Sequence, residues 1–232
     1  MNKRLLLCFL VTCLTSPVAI SAAITNGNFA SCDFAGWQKD TDGLGDISTV
    51  NDFQITGTSP QCSAELLVDG ANTEAFFANT LYQRLDFTGS QPMMLSFDLE
   101  LASRLTSSDQ GFVGDYAVVA ISDGTGNYFD AQGNSGFLFS GIIDGMESLA
   151  LSYTLADVFD SASDWFLEFQ LNIGADAEGV SDGGVSSMRI DNVTLASVPA
   201  PATYGLFLLA ASALVQRRRR MSVLVLLNGR SV

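Results

Sequence analysis

The chain has 232 residues, with 11 Lys+Arg, 25 Asp+Glu, no His and a formal net charge of −14. That length holds one domain of ordinary size or two small ones, and without histidine there is no Ser-His-Asp or Cys-His catalysis, no His-ligated zinc and no His-ligated haem. The acidic balance argues against a nucleic-acid partner, because phosphate binding needs clustered Lys and Arg, so the expected partner is neutral, cationic or a metal ion.

At the start, Lys3 and Arg4, the apolar stretch from Leu5 to Leu14 and the small residues Ala19-Ile20-Ser21-Ala22-Ala23 have the order of a secretory signal. They predict a signal helix over residues 1–23, passage through the export translocon and cleavage near Ala23. The segment 24–197 then carries all 25 acidic residues but, as basic ones, only Lys39, Arg84, Arg104 and Arg189. Such a charge solvates the domain, repels anionic membranes and favours divalent cations. Only Cys32 and Cys62 remain after signal removal, and in an exported protein two cysteines are expected to pair. Closing that loop stabilises by about 3–4 kcal/mol on the chain-entropy estimate and ties the N-terminal loop to the sheet.

Along this segment the dominant period is two. Phe77, Leu81, Leu85 and Phe87 interleave with Thr80, Arg84 and Asp86; Leu95, Phe97, Leu99 and Leu101 alternate with Ser96, Asp98 and Glu100. Tyr116 to Ile121 is apolar on both faces and predicts a central strand. Asp123-Gly124-Thr125-Gly126-Asn127 and Ser181-Asp182-Gly183-Gly184 supply turns, and Leu155 to Phe159 has room for a helical turn or two. Trp165, Leu167, Phe169, Leu171 and Ile173 alternate with Glu168, Gln170 and Asn172. Many short strands with such turns predict an all-β, antiparallel β-sandwich of jelly-roll size.

Two kinds of chemistry are open to such a domain. Sugar binding needs exposed rings flanked by Asp, Asn or Gln; Trp37, Tyr82, Tyr116, Tyr128 and Tyr153 are the available rings, with burial in the core as the competing use of each, while Trp165 falls on a core face. Tyr128, with Asn127 and Asp130 beside it in a polar loop, is the candidate ligand-binding position. Paired-carboxylate hydrolysis needs two acids about 5 to 9.5 Å apart; Asp98 and Glu100 share one strand face and Glu168 lies on another strand. Exposed strand faces of an acidic protein bring carboxylates together by chance as well, so the expectation is a non-enzymatic protein, with no catalytic residue assigned and a carbohydrate-active enzyme as the alternative.

At the far end, Tyr204 to Val215 is uncharged and Arg217-Arg218-Arg219-Arg220 follows after Gln216, the pattern of a transmembrane helix with a cytoplasmic basic stop. A helix of that length reaches only about 18 Å of a hydrocarbon core of about 30 Å, so Val198 to Thr203 would enter the bilayer too. A buried C-terminal helix is the alternative. Val198-Pro199-Ala200-Pro201, the apolar run and the arginine cluster resemble, over residues 198–220, the PEP-CTERM sorting signal of Gram-negative bacteria; Ala200 stands where that motif usually has Glu, and residues 221–232 form an atypical apolar tail. The resemblance implies an inner-membrane intermediate, cleavage at the proline motif by an exosortase-type enzyme, and release to the cell surface or extracellular matrix. Retention of the helix would instead make a permanently anchored surface adhesin.

Thr25-Asn26-Gly27-Asn28-Phe29 with Gly36-Trp37, and Arg189-Ile190-Asp191-Asn192-Val193-Thr194-Leu195, resemble the opening and closing strands of carbohydrate-binding-module-like, galactose-binding-type jelly rolls. Tyr82-Gln83-Arg84-Leu85-Asp86-Phe87 followed by Leu95-Ser96-Phe97-Asp98 is similar to the middle of that family. That resemblance implies a polysaccharide partner and a structural Ca2+ held by Asp191 with backbone oxygens near Asn28, Asp191 as a strand-end turn residue being the alternative; no other cofactor is required. Together these readings predict an exported, surface-sorted, non-enzymatic protein of the envelope, biofilm or exopolysaccharide matrix, either a passive matrix component or a glycan binder.

Overall fold

A computed structural model describes residues 21–22, 24–44, 51–68, 75–87, 92–103, 114–160, 163–174 and 185–198. All of them belong to the unit Ile20–Val198. Most of the signal segment, Pro199 to Pro201 of the sorting motif, the apolar run, Arg217 to Arg220 and the turn at Ser181 to Gly184 lie outside the described residues.

The described chain forms two antiparallel sheets. Sheet I holds β1 (Ser21–Ala22), β3 (Phe53–Thr58), β4 (Gln61–Val68), β6 (Met93–Ala102), β10 (Met146–Leu155) and β12 (Ser186–Ser197), in the order β10-β6-β12-β4-β3 with β1 on β12. Sheet II holds β2 (Gln38–Thr41), β5 (Ala78–Leu85), β7 (Tyr116–Ser122), β8 (Tyr128–Phe129), β9 (Phe139–Ile142) and β11 (Trp165–Asn172), in the order β2-β5-β11-β7-β8 with β9 also on β7. From β4 onward the chain passes back and forth between the sheets, except that β7, β8 and β9 follow one another in sheet II, so that β4-β12-β6-β10 lies in one layer and β5-β11-β7-β9 in the other. Two antiparallel sheets are the all-β arrangement expected from the strand pattern.

Alternation places the core. In β6, Leu95, Phe97, Leu99 and Leu101 are buried while Ser96, Asp98 and Glu100 are not; in β11, Trp165, Leu167, Phe169 and Leu171 are buried and the residues between them are half-exposed. One apolar cluster contains the inward residues of both sheets, and the rings of Phe97 and Phe169 meet across it edge to face, 5.2 Å apart. Central β7 is buried on both faces from Ala117 to Ser122, with only Tyr116 of the expected run exposed.

Strand β5 departs from its apolar pattern. Phe77 precedes the strand and is 75% exposed, and the inward positions are Asn79, Leu81, Gln83 and Leu85. The two polar ones are admitted because they hold other segments. Asn79 Oδ1 accepts from Thr41 Oγ1 at 2.9 Å, and its Nδ2 donates to Asp52 Oδ2 and to the Leu67 carbonyl, each at 2.7 Å. Gln83 accepts from the Thr25 N–H at 2.6 Å and donates to the Thr25 carbonyl at 2.9 Å, imitating a strand pair. Residues Leu155 to Phe159 close in a turn, with Phe159 N–H donating to the Ala156 carbonyl at 3.2 Å.

The opening segment is thereby attached to both sheets. On sheet II it is held by Gln83 and by Trp37, which stacks on Phe29 at 5.5 Å and tilts against Phe169 at 5.9 Å. On sheet I the expected Cys32–Cys62 disulfide forms, with Cα atoms 5.4 Å apart, and Val193 N–H donates to the Gly27 carbonyl at 2.9 Å. A Cβ on Gly27 would stand 2.0 Å from the Val193 carbonyl oxygen, so only glycine permits that approach.

Candidate functional site

The outward face of sheet II carries a cavity of about 640 Å³, open to solvent. Strand register builds its floor. Gln38 of β2 stands opposite Tyr82 of β5, and Tyr82 opposite Glu168 of β11; in the next outward row Asp40, Thr80 and Gln170 lie side by side. Because side chains alternate with period two, every outward residue of these rows projects from the same face. Phe166, one outward step from Glu168, meets Tyr82 edge to face at 6.2 Å. Tyr128 of β8 closes one wall and packs against Phe137 at 5.8 Å.

A hydrogen-bond chain orients the polar groups. Gln170 Nε2 donates to the Tyr128 hydroxyl and to Glu168 Oε2, both at 3.0 Å, and Ser122 Oγ donates to Glu168 Oε1. With its hydroxyl oxygen already accepting, Tyr128 retains its own proton to donate. Burial pushes that phenol above its ordinary pKa; the Gln170 hydrogen bond works in the opposite sense, and the charges of Glu168 and Asp40 add to the rise. Asp42 at the end of β2 accepts from Phe76, Phe77 and Ala78 N–H at 2.7, 2.7 and 2.9 Å, which fixes that rim. At the opposite rim Arg84 pairs with Asp164.

The turn after β7 forms the remaining wall. Gly124 and Gly126 take positive φ of 71° and 93°, and a Cβ on Gly124 would come within 3.0 Å of the Phe166 ring. Asp123 accepts from Asn127 Nδ2 at 2.7 Å and from Thr125 N–H and Oγ1 at 2.8 Å. These bonds, the Asn127 one foremost, lower its carboxyl from 3.8 to about 2. A folded pKa below the unfolded one stabilises the turn above the ordinary Asp range, and that contribution disappears as pH falls through about 2. An NMR titration should place the Asp123 midpoint near 2, with the Thr125 and Asn127 amide shifts following it; a midpoint at the ordinary Asp value would mean that the turn does not hold the carboxylate in solution.

Of the three sequence-predicted ligand residues, Tyr128 lines the cavity. Asn127 is engaged with Asp123, and Asp130 accepts from the N–H groups of Gln132 and Asn134, each at 2.9 Å, so both serve turns. Trp37, Trp165 and Tyr153 are occupied in ring packing, with Phe29, Phe159 and Phe97 respectively. Asp98 and Glu100 do share a face, but it is the outward face of sheet I, where Asp98 stands opposite Asp191. Glu168 projects from sheet II, and the core lies between, so the paired-acid arrangement does not include it.

Asp191 opens a bulge in β12. Its carboxyl is raised by burial first, with the Asp98 and Glu100 charges adding to the rise and the Asn192 N–H opposing it. It lines a hollow of about 350 Å³ with Asp98, Glu100, Arg189 and Asn192, whereas Asn28 accepts from Ala30 N–H in the opening turn. Among the described residues no three His, Cys, Asp or Glu side chains are grouped to hold a metal ion.

The cavity also uses residues that the sequence reading did not single out: Gln38, Asp40, Thr80 and Phe166. Phe166 carried a signal, being an aromatic on the wet face of an otherwise clean alternation. Gln38 and Asp40 belong to a strand too short to show a period.

No family model and no curated protein matches the chain. Among solved structures, it is similar to CBM27-1 of Caldicellulosiruptor saccharolyticus in complex with mannohexaose, at 12% identity and a TM-score of 0.43, over 78% of this chain and 98% of that one. It is also similar to the K1 cleaved adhesin domain of Lys-gingipain from Porphyromonas gingivalis W83, at 13% identity and 0.44, over 74% and 96%. A third likeness is to a cyclase from Fischerella sp. TAU, at 15% identity and 0.41, over 79% and 99%.

Proposed function

We propose that the chain is an exported, surface-sorted, non-enzymatic protein of the envelope, biofilm or exopolysaccharide matrix of a Gram-negative bacterium, and that the sheet II cavity is its glycan site. The observation that carries the binding reading is the convergence of Tyr82, Tyr128 and Phe166 with Gln38, Thr80, Glu168 and Gln170 around one open cavity. Ring faces accept the C–H faces of a sugar, and amides, hydroxyls and a carboxylate exchange hydrogen bonds with its hydroxyls. Gln38 and Thr80 make no side-chain hydrogen bond among the described residues, so a sugar hydroxyl would replace only water there. Both Glu168 oxygens already accept protein hydrogen bonds, which suits a positioned acceptor and supports binding without hydrolysis.

Export and sorting rest on the signal-like Lys3 to Ala23 and on the proline motif, apolar run and Arg217 to Arg220. The partners are accordingly the export translocon, an exosortase-type enzyme, the membrane in passing and a polysaccharide. Intact mass of the native protein tests this half: the supernatant species should begin near Ile24 and end near Val198 to Pro201, whereas a full-length tail confined to the membrane would make it an anchored adhesin. Affinity electrophoresis of that mature protein against a polysaccharide panel tests the other half. Tyr82→Ala and Tyr128→Ala should each weaken retention about tenfold without lowering the melting temperature by more than a few degrees; retention unaffected by both would remove the cavity as the glycan site.

A further inference from the structure

We propose that the sheet II cavity selects glycans bearing protonated amino groups, chains of the glucosamine type, over neutral and uronate chains. The proposal rests on the reading of that cavity as a glycan site and adds the charge of its ligand. Asp40, Asp42, Asp123, Asp164 and Glu168 line the cavity and, among the described residues, no Lys or Arg does. The described basic residues of the segment 24–197 have contacts of their own. Lys39 projects from the opposite face of β2, its Nζ 4.1 Å from the Phe34 ring centre; Arg189 pairs with Glu100 on sheet I; Arg84 is paired with Asp164 at the rim; Arg104 lies outside the described residues.

These carboxylates are already held, Asp164 by Arg84, Asp42 and Asp123 by hydrogen bonds from the chain and Glu168 by Ser122 and Gln170, but five acidic and no basic side chains among the described lining residues give the cavity a field that favours a cationic chain over a neutral or anionic one. A single metal ion is a poor match, because among the described residues no three acidic side chains are grouped to coordinate one. Carboxylates spread along a cavity instead match positive charges repeated along a chain. Ammonium groups would also meet the faces of Tyr82, Tyr128 and Phe166, which attract cations through the ring quadrupole. Glu168 stands opposite Tyr82 and beside Gln170, so one residue would take an ammonium while its neighbours engage the sugar. The same charges repel uronates.

Isothermal titration calorimetry on the mature protein, in mildly acidic buffer, compares a chitosan oligosaccharide, the chitin oligosaccharide of equal length and an oligogalacturonate. Chitosan should bind at least about tenfold more tightly than chitin, the preference vanishing at high salt and once the amines are deprotonated. Asp40→Asn and Glu168→Gln should each weaken chitosan binding severalfold and by a larger factor than chitin binding, so that the chitosan preference falls, while Glu147→Gln, on β10 of the other sheet, should change neither. Equal or tighter binding of chitin or oligogalacturonate overturns the charge selection and leaves the glycan site standing. Equal losses in Glu147→Gln and Glu168→Gln reduce the effect to bulk attraction between polyions and overturn it as well. Binding of none of the three, nor of any neutral polysaccharide, overturns the glycan reading itself.

Discussion

Asn79→Leu should lower the unfolding free energy by about 4 kcal/mol, read in urea as a lower midpoint at unchanged slope. The side chain is fully buried, and leucine keeps its branching and number of heavy atoms while being larger, so overpacking adds to the loss of the polar role. Three partners lose a hydrogen bond: the Thr41 hydroxyl, the Asp52 carboxylate and the Leu67 carbonyl. Thr41 and Asp52 are themselves buried; Asp52 Oδ2 keeps the Ala75 N–H, so each partner loses one hydrogen bond, which costs about 1–3 kcal/mol at a buried group and more at a charged one. The effect reaches the cavity, because Thr41 ends β2 and the next residue, Asp42, fixes the rim through three N–H groups. Protein that still folds should therefore bind glycan more weakly through displacement of Gln38 and Asp40. A loss below about 1 kcal/mol would mean that water reaches these groups and that Asn79 is not what fastens β2.

Asn79 also marks where the sequence ceases to be readable. Strands β6 and β11 announce themselves because each buries one face against the other sheet, and period two is the direct record of that burial. β7 is legible for the opposite reason, being apolar throughout. In β5 the inward face is half polar, and the partners that make Asn79 and Gln83 acceptable there come from Thr41, Asp52, Leu67 and Thr25. A local pattern assigns Phe77 to the core in their place, and no window of sequence contains the hydrogen bonds that correct it. The site divides in the same way. Tyr128 is visible beside a glycine-rich turn, but its neighbours Gln38, Tyr82 and Glu168 meet it only after β2, β5 and β11 have paired in register. The same pairing separates Asp98 and Glu100 from Glu168, which alternation alone leaves undetermined, since each strand has one wet face but the sequence does not say which side of the sandwich it faces.

Replacing both Cys32 and Cys62 by serine should lower stability by about 3–4 kcal/mol and the melting temperature by roughly 10 °C. The bridge joins residues 30 apart, and its main action is on the unfolded chain, which loses the loop conformations that the cross-link forbids. In the folded state the opening segment keeps its other attachments: the Gln83 bonds to Thr25, the Val193 N–H to the Gly27 carbonyl, and Trp37 between Phe29 and Phe169. None of these uses sulfur, and neither cysteine lines the sheet II cavity. The double variant should therefore bind glycan with unchanged affinity well below its transition while melting earlier, a separation of stability from binding that Asn79→Leu should not display. An unchanged melting temperature would show that the unfolded chain already holds these segments together. Lost affinity in the folded variant would show instead that the bridge, acting through the opening segment and β2, sets the position of Gln38 in the cavity.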